Sequence, residues 1–228
     1  MEIFTKQQLQ SPIFNKININ EIEPKICIST SNEKLGSIPS IEQLTLISCR
    51  QDAPCMKKCY ANKGRYLFIS NRISRISAYM LYKQNPVKYF SDIIEALKPS
   101  LENNTRGYFF VRWHSTGEIV DKNYFNGVVR VAKAIPETTF MIFTKKFWII
   151  NDFVKNGGLI PDNLIIIFSS WNGLEVPNPY RFPVSYVKEK KSDLQDFPEN
   201  AQMCGGSCVG CWKCWKLKHG DNIIFNEH

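Results

Sequence analysis

The spacing of apolar residues along the chain predicts helices that alternate with strands. Ile69, Ile73 and Ile76 recur at helical spacing. Asn85 and Pro86 then supply an N-cap and a first-turn proline for a second helix. Further helices are predicted at residues 123–135 and 147–155. Strands are predicted at residues 26–30, 44–48, 108–112, 139–144, 164–168, 183–187 and 223–225.

This alternation predicts crossover connections and a mostly parallel sheet, which is an α/β fold with ligands at the carboxyl ends of its strands. The chain has 228 residues. A complete barrel takes roughly 250 residues, so we expect a partial TIM-barrel-like or open twisted sheet of about five or six strands. Three parts are predicted: an N-terminal arm with a Ser/Gly/Pro loop at residues 1–43, an α/β core at 44–200, and a cysteine-rich cluster-binding segment at 201–228.

Composition argues against a membrane protein and against a secreted one. The apolar runs fall short of the roughly 18 residues that a membrane span needs. The first residues lack the charged and then apolar layout of a secretory signal. We therefore expect a cytoplasmic protein. In a reducing cytoplasm the eight cysteines are not a disulfide framework, so their clustering predicts metal binding or redox chemistry.

The charge balance favours an anionic partner. The chain has 29 Lys and Arg residues against 21 Asp and Glu residues, a formal charge of +8. Such an excess favours a nucleic acid, a nucleotide or an acidic protein as the partner. Because no block of like charges occurs, a solvated basic surface is an equally good interpretation.

The strongest chemical signal is a group of four cysteines near the end of the sequence. Their gaps are three, two and two residues: Cys204, Cys208, Cys211 and Cys214. Successive cysteines at two-residue gaps are typical of the runs that bind a cubane [4Fe–4S] cluster, whereas zinc sites pair two separated knuckles. We predict an iron–sulfur cluster here, with zinc as the alternative and a metal-free hairpin as the remaining interpretation.

A second group, Cys49, Cys55 and Cys59, follows the strand predicted at residues 44–48. Three ligands do not close a metal site. The group either takes a fourth cysteine from the C-terminal segment or holds a cluster with one open iron that binds a substrate or cofactor. Cys27 stands apart on an apolar run and is predicted to be a small core residue.

Polar residues that follow predicted strands are candidates for catalysis. Arg112, His114 and Glu118 come at and after the end of one strand. His114 would bind a metal or move a proton, with a hydrogen-bonded structural histidine as the alternative. Glu118 would act as a base or bind a cofactor amine, with a salt-bridged surface carboxylate as the alternative.

Three further residues are candidates for cofactor binding. Lys145 and Ser169 follow two other predicted strands, and Lys34 lies in the Ser/Gly/Pro loop. Lysine would meet an anionic ligand at the strand ends. The alternative is that each is a loop residue in solvent.

Three spaced motifs carry a family resemblance. They are NEKLGSIP at residues 32–39, CMKKCYANKGR at 55–65 and RWHSTGE at 112–118. With the C-terminal Cys-Trp element they resemble the phage gene-product-eighty-eight family, from about residue 28 onward. Members of that family are largely phage and mobile-element proteins of unestablished activity. The resemblance implies a phage-type protein in the host cell cytoplasm.

That family is in turn similar to radical S-adenosylmethionine proteins, which carry a three-cysteine cluster motif after the first strand of a partial barrel. The similarity implies a [4Fe–4S] cluster at Cys49, Cys55 and Cys59 and S-adenosylmethionine as a cofactor. This chain departs from that pattern in two ways. The radical enzymes have shorter gaps between the three cysteines, and no glycine-rich methionine-binding motif follows here.

Three functions follow from these observations. The first is a radical-type iron–sulfur enzyme that acts on a nucleotide or nucleic-acid-like ligand. The second is a non-catalytic phage accessory protein, such as an anti-CRISPR-like inhibitor of a host protein–RNA complex, with structural clusters and a basic binding surface. The third is a zinc-stabilised nucleic-acid-binding module. Absorption of visible light would indicate an iron–sulfur cluster and would exclude a protein that binds zinc alone.

Overall fold

A computed structural model of the chain describes residues 3–103, 109–189 and 196–227. The helices are α1 (Lys6–Leu9), α2 (Ile69–Gln84), α3 (Pro86–Asn103), α4 (Lys122–Ala134) and α5 (Phe147–Lys155). The strands are β1 (Ile28–Ser29), β2 (Ser40–Ile41), β3 (Phe110–Trp113), β4 (Thr139–Thr144), β5 (Leu164–Ser169), β6 (Val184–Lys188), β7 (Ala201–Met203) and β8 (Asn222–Asn226). Short 3₁₀ turns connect several of these elements.

The strands form one sheet in the order β1-β2-β3-β4-β5-β6-β8-β7. Only β1 and β2 pair antiparallel, and all other neighbours are parallel. The predicted α/β fold with a mostly parallel sheet is therefore confirmed. The expected strand number of about five or six was too low, since the described part of the chain contributes eight strands. Strands from all three predicted parts of the chain pair in this one sheet, while the division into parts stays a prediction.

The central strands β4 and β5 show why the sheet forms here. Both are runs of apolar and β-branched residues, which pack well on a pleated surface. Successive side chains point to opposite faces. Ile142 and Ile166 therefore pack with the helices, whereas Met141 and Ile167 pack on the other face. The sheet is buried on both faces, which is typical of parallel sheets.

The helices cover one face of the sheet. The strands from β2 to β6 step in one direction, and right-handed crossovers in one direction place their helices on the same side. Phe90 of α3 and Phe125 of α4 are buried there with Trp113 of β3. Gly127 allows α3 and α4 to approach, because a Cβ atom at this position would lie 2.0 Å from the Phe90 ring.

The opposite face is covered by the cysteine-rich segment. Trp215 and Leu217 are buried there with Met141 and Ile167 of the sheet. The Trp215 indole donates a hydrogen bond to the Val111 carbonyl at 3.3 Å. The segment is thus part of the hydrophobic core and closes a face that the helices leave uncovered.

The N-terminal arm packs on α2. Phe4 stacks on Tyr79 with ring centroids 5.4 Å apart, and both belong to a small cluster beside the main core. Arg72 of α2 donates hydrogen bonds to the backbone carbonyls of Pro12, Ile13 and Asn15. These bonds attach the arm to the helix.

One strand prediction is wrong. Residues 44–48 form a turn, in which Leu46 has a φ of 64° and Ser48 donates to the Leu44 carbonyl at 2.6 Å. The strand comes earlier, at β2, where Ser40 and Ile41 pair with β3. The apolar run has another cause, because Leu44 is fully buried in the cluster between the arm and α2. None of the described helices is both long and apolar enough to cross a bilayer.

Candidate functional site

A cavity of about 500 Å³ lies at the carboxyl ends of the parallel strands. Its lining includes Arg112 of β3, Lys145 immediately after β4, Ser169 at the end of β5, and Ser185 of β6. Clefts of roughly 300–1,000 Å³ are typical of small-molecule sites, and open parallel sheets bind ligands at this edge. The cavity is therefore the candidate ligand site of this protein.

All three cysteines of the N-terminal group line this cavity. Cys49 follows the turn at residues 44–48, Cys55 lies in the 3₁₀ turn Pro54–Met56, and Cys59 precedes the next such turn. Burial, together with the negative charge of Glu118, raises the pKa of Cys49 to about 12. Burial also raises the pKa of Cys55, while Lys145 opposes that shift. A buried neutral thiol is not a ready nucleophile, because the thiolate is the reactive form.

Glu118 is a buried carboxylate in the cavity wall. Its two oxygens accept hydrogen bonds from the backbone N–H groups of Lys145, at 2.8 Å, and Ile119, at 2.9 Å. The hydroxyl of Ser48 accepts a bond from the Glu118 backbone N–H at 3.0 Å. The side chain is only 6% exposed, so it is not the salt-bridged surface carboxylate of the alternative interpretation. A carboxylate held by backbone donors beside a cavity can bind a cationic group of a ligand.

The three residues predicted to bind a cofactor also line the cavity. Lys145 Nζ donates to Ser169 Oγ at 3.1 Å, which links the ends of β4 and β5. Lys34 Nζ lies 4.5 Å from the centroid of the Phe225 ring, in a cation–π contact with the terminal strand β8. The two ammonium groups bring positive charge to the lining.

Arg112 lies between the two cysteine groups. It lines the large cavity and also a smaller one beside the C-terminal cysteines. Its guanidinium stands 5.2 Å from the centroid of the Phe143 ring, and its buried Nε atom has no hydrogen-bond partner in the described part of the chain. The positive charge of Arg112 lowers the pKa of Cys208 and Cys214, against the larger effect of burial.

His114 lies at the cavity wall directly after β3. It is 4% exposed and has a φ of 59°, in the left-handed region that few residues other than glycine adopt. Burial, together with the charges of Arg112 and Lys146, lowers the pKa of His114 to about 3. The imidazole is therefore neutral at physiological pH.

The four C-terminal cysteines surround a second, small cavity. This space of about 20 Å³ is lined by all four thiols and by Trp212 and Trp215. It shares Lys34, Arg112, Phe143 and Phe225 with the large cavity. Burial, together with the neighbouring Cys204 and Cys208, raises the pKa of Cys214 to about 12. The four cysteines, spaced along the sequence, thus line one cavity.

The thiols do not form a ready-made site for a single ion. Across residues 3–103, 109–189 and 196–227, no three Cys, His, Asp or Glu side chains are grouped closely enough to hold a metal ion. All eight cysteines are free. Metal binding by either group therefore stays a prediction.

Several cavity residues were not singled out from the sequence. Tyr60, next to Cys59, lines the cavity, and its hydroxyl donates to the Ser115 carbonyl. Arg50 follows Cys49, donates to the Lys145 carbonyl at 3.2 Å, and lines the same space. Their position next to predicted cysteine ligands was the available signal. Phe225 carried no signal, because only the sheet order places β8 beside this edge.

The fold and the cavity define this chain as an α/β protein with a ligand-sized cavity whose lining carries cysteines. A model of the family described as gene product 88 matches residues 15–197, more than half of the chain. The chain therefore belongs to the gene product 88 family, which confirms the resemblance of its motifs. The match includes Cys49, Cys55 and Cys59 and ends before Cys204. No curated protein and no solved structure matches the chain.

Proposed function

We propose that this protein is an iron–sulfur enzyme of radical type that acts on a nucleotide or nucleic-acid-like ligand. The observation that carries the proposal is that Cys49, Cys55 and Cys59 line the same cavity as the buried carboxylate of Glu118. Three cysteines leave one iron of a [4Fe–4S] cluster without a protein ligand. There the bound cluster would supply one-electron chemistry to a ligand such as S-adenosylmethionine.

The donor set fits such a cluster. Soft thiolate ligands suit iron–sulfur clusters, and metal binding drives off the protons that burial otherwise keeps on thiols such as Cys49. A cluster separates its ligands further than a single ion does, so the absence of closely grouped ligands among the described residues does not conflict with it. The cavity of about 500 Å³ offers space for a cluster and an organic ligand together.

The polar lining can orient a ligand that carries both charges. Glu118 offers carboxylate oxygens to an ammonium group, since two backbone N–H groups hold these oxygens in place beside the cavity. Lys145 and Arg112 offer positive charge to phosphate or carboxylate oxygens. An amino acid or nucleotide cofactor presents these groups.

The C-terminal cysteines would form a second metal centre, separate from the one in the large cavity. The spacing of Cys204, Cys208, Cys211 and Cys214 favours a second [4Fe–4S] cluster. The cavity among them, about 20 Å³, is close to the space of one water molecule and favours zinc. A cluster would require the segment to open around it, because the cavity is smaller than a cluster.

The proposal also covers the curvature of the sheet and the cellular location of the protein. Parallel strands that step in one direction from β2 to β6 occur in barrels, so we propose a partial barrel curvature for this sheet. We also propose a reducing cytoplasm as the location, because a set of eight free cysteines persists in that compartment.

Anaerobic purification with iron, sulfide and zinc analysis tests the metal assignment. We expect a brown protein with about four irons per cluster. The variant Cys55→Ala should lose the iron of the cavity cluster, whereas Cys27→Ala, which changes a thiol outside both groups, should keep it. A colourless protein that contains only zinc would exclude the radical enzyme.

Binding of S-adenosylmethionine tests the use of Glu118. Calorimetry on the iron-loaded protein should show binding that Glu118→Gln weakens about tenfold, the equivalent of ~1.4 kcal/mol. Glu175→Gln, a change at an exposed carboxylate away from the cavity lining, should bind as the parent does. An iron-loaded protein that does not bind the cofactor would favour the non-catalytic function.

A specific surface favours the non-catalytic alternatives, in which a basic surface binds nucleic acid. Between Asp52 and Asp92 the chain has eight basic residues and no acidic one. Lys57, Lys63 and Arg65 of this stretch are exposed and make none of the salt bridges of the described residues. Beside them Leu67, Phe68 and Ile69 are 52%, 60% and 46% exposed. Positive charge and an exposed aromatic ring together favour single-stranded nucleic acid.

Fluorescence anisotropy with a labelled single-stranded oligonucleotide tests this surface. The triple variant Lys57→Ala, Lys63→Ala, Arg65→Ala should weaken binding at least tenfold and lower the salt slope of log K by about two. A control triple at Lys6, Lys133 and Lys155, exposed residues on three other helices, should bind as the parent does. Equal loss in both triples would show a diffuse charge effect, and no binding by the parent would favour an acidic protein as partner.

A further inference from the structure

Four buried side chains form one hydrogen-bonded chain that ends at the cavity. Gln43 Nε2 is 3.2 Å from Tyr89 Oη, Tyr89 Oη is 3.0 Å from Tyr124 Oη, and Tyr124 Oη is 2.9 Å from His114 Nε2. Gln43, Tyr89 and Tyr124 are fully buried, so water does not compete for these bonds. Counting the protons and acceptors of these groups gives the direction of each bond.

The direction of the chain follows from Gln43. Its Oε1 accepts the Leu44 backbone N–H at 3.1 Å, which leaves the Nε2 amide to donate to Tyr89. A tyrosine hydroxyl has one proton and accepts up to two bonds, so the arrangement that leaves no hydroxyl proton of this chain unpaired has Tyr89 donate to Tyr124. Tyr124 in turn gives its proton to His114 Nε2. Burial raises the pKa of both tyrosines, so both hydroxyls keep these protons at neutral pH.

A neutral imidazole carries one hydrogen. Because Nε2 of His114 accepts from Tyr124, the hydrogen lies on Nδ1, and the ring is neutral because its pKa is lowered to about 3. Nδ1 is buried and has no hydrogen-bond partner in the described part of the chain. An unmet buried donor is costly, and a ligand acceptor would offset that cost.

A second unmet donor belongs to a residue that lines the same cavity. Arg112 Nε, two residues before His114, is also buried without a partner among the described residues. The two residues leave the same strand, and the left-handed φ of 59° at His114 turns the chain between β3 and the Glu118 loop. Backbone strain of this kind is concentrated at ligand sites.

We propose that His114 is a neutral hydrogen-bond donor, and that its Nδ1–H and the Nε–H of Arg112 together bind an anionic oxygen group of the ligand. The group is a carboxylate or a phosphate. His114 is then a specificity residue rather than a metal ligand or a general base. This inference rests on the cavity being the ligand site of the proposed function, but it does not require a cluster there.

Nitrogen-15 NMR of histidine-labelled protein tests the donor assignment directly. The sequence has three histidines, and His114→Asn identifies the signal of interest by its loss. We expect the signature of a hydrogen on Nδ1 and a bare Nε2, unchanged between about pH 5 and pH 8. Tyr124→Phe removes the proton given to Nε2, together with the acceptor of the Tyr89 hydroxyl, and should shift the signal towards the other tautomer. A hydrogen on Nε2, or a doubly protonated ring in this range, would overturn the inference.

Titration with acetate and with inorganic phosphate tests the ligand class. Saturable movement of the His114 Nδ1 signal is expected with at least one anion, and the anion that moves it identifies the group. Arg112→Gln should weaken this binding about tenfold. No movement with either anion would overturn the inference.

Two substitutions of His114 separate donor loss from misfolding. Asparagine tolerates a positive φ and places an amide N–H near the Nδ1 position, so His114→Asn should keep anion affinity within about threefold. Glutamine places its amide near the Nε2 position, so His114→Gln should lose affinity about tenfold. Anion binding by His114→Gln equal to that of the parent would refute the donor role. Loss of iron in any variant tests the cluster alone, so the two proposals fail separately.

Discussion

The His114 imidazole lies near two cationic groups, Arg112 and Lys146, which both disfavour its protonated form. Its pKa is about 3 in the folded protein against 6.5 in a free chain. Between these values the unfolded chain binds a proton that the folded protein does not. The free energy of unfolding should therefore decrease as pH falls through this window, by about 1.4 kcal/mol per unit.

Urea unfolding at several pH values between about 4 and 6 checks this linkage. The variant His114→Asn should show a pH slope shallower by about 1.4 kcal/mol per unit, because it removes the titrating group. Equal slopes would mean that the ring is accessible to protons in the folded state.

Gly117 shows how one residue sets the position of Glu118. Its φ is 81°, and a Cβ atom there would lie 2.6 Å from backbone atoms of Gln43. Gly173 also has a positive φ, of 77°, but a Cβ atom there would meet nothing within 4 Å. Gly173→Ala should cost about 1–2 kcal/mol of strain, and Gly117→Ala a further 1–3 kcal/mol from overpacking. Equal losses in denaturant unfolding would contradict the close approach.

At the scale of elements, two helix caps differ in the number of hydrogen bonds that their side chains accept. Asn85 Oδ1 accepts the Lys88 backbone N–H at 2.9 Å at the start of α3. Asp121 Oδ1 accepts the Tyr124 backbone N–H at 2.9 Å at the start of α4 and also accepts from the buried Tyr82 hydroxyl. The second cap therefore satisfies a core side chain as well as a helix end.

Alanine substitutions at the caps should show this difference. Asn85→Ala should cost about 1 kcal/mol, whereas Asp121→Ala should cost about 2–4 kcal/mol because it also leaves the Tyr82 hydroxyl unpaired. Adding Tyr82→Phe to Asp121→Ala should recover part of the loss, and thermal unfolding of the four proteins measures it. No recovery would mean that Tyr82 finds another partner.

The elements that the sequence predicted well are those whose burial is periodic and long. β4, β5, α4 and α5 follow their predicted ranges closely, and α2 contains the three isoleucines predicted at helical spacing, because runs of apolar residues specify these elements locally. β2 and β7 have two and three residues and exist only through pairing with neighbours, so no local pattern predicts them. The strand prediction at residues 44–48 was wrong because an apolar run can also be buried in a turn, as Leu44 is.

At the scale of the whole molecule, strand-end positions predicted the large cavity. Arg112, Lys145 and Ser169 follow different strands, and a parallel sheet brings their ends to one edge. The sequence could not predict that the C-terminal segment covers the sheet face beside them, because that depends on β8 lying between β6 and β7. The hydrogen-bonded chain to His114 was also beyond prediction, since its members come from distant parts of the chain.

Two tryptophans test whether the cysteine-rich segment contributes to the core without metal. Trp215 is 3% exposed, while Trp212 is 40% exposed and stacks on Phe110. In chelator-treated protein, Trp215→Ala should cost about 3–5 kcal/mol and Trp212→Ala at most about 1 kcal/mol. Denaturant unfolding measures both. Equal small losses would show that the segment packs only when a metal is bound.

The two cavities have Lys34, Arg112, Phe143 and Phe225 in common. A group that moves or recharges these side chains on one side changes what the other side binds, and thermodynamic reciprocity makes the two effects equal in size. The affinity of the large cavity for its ligand thus reports on the state of Cys204, Cys208, Cys211 and Cys214. If the large cavity binds a ligand as we propose, oxidation of those thiols would change its affinity, and the shared walls would couple ligand binding to redox conditions.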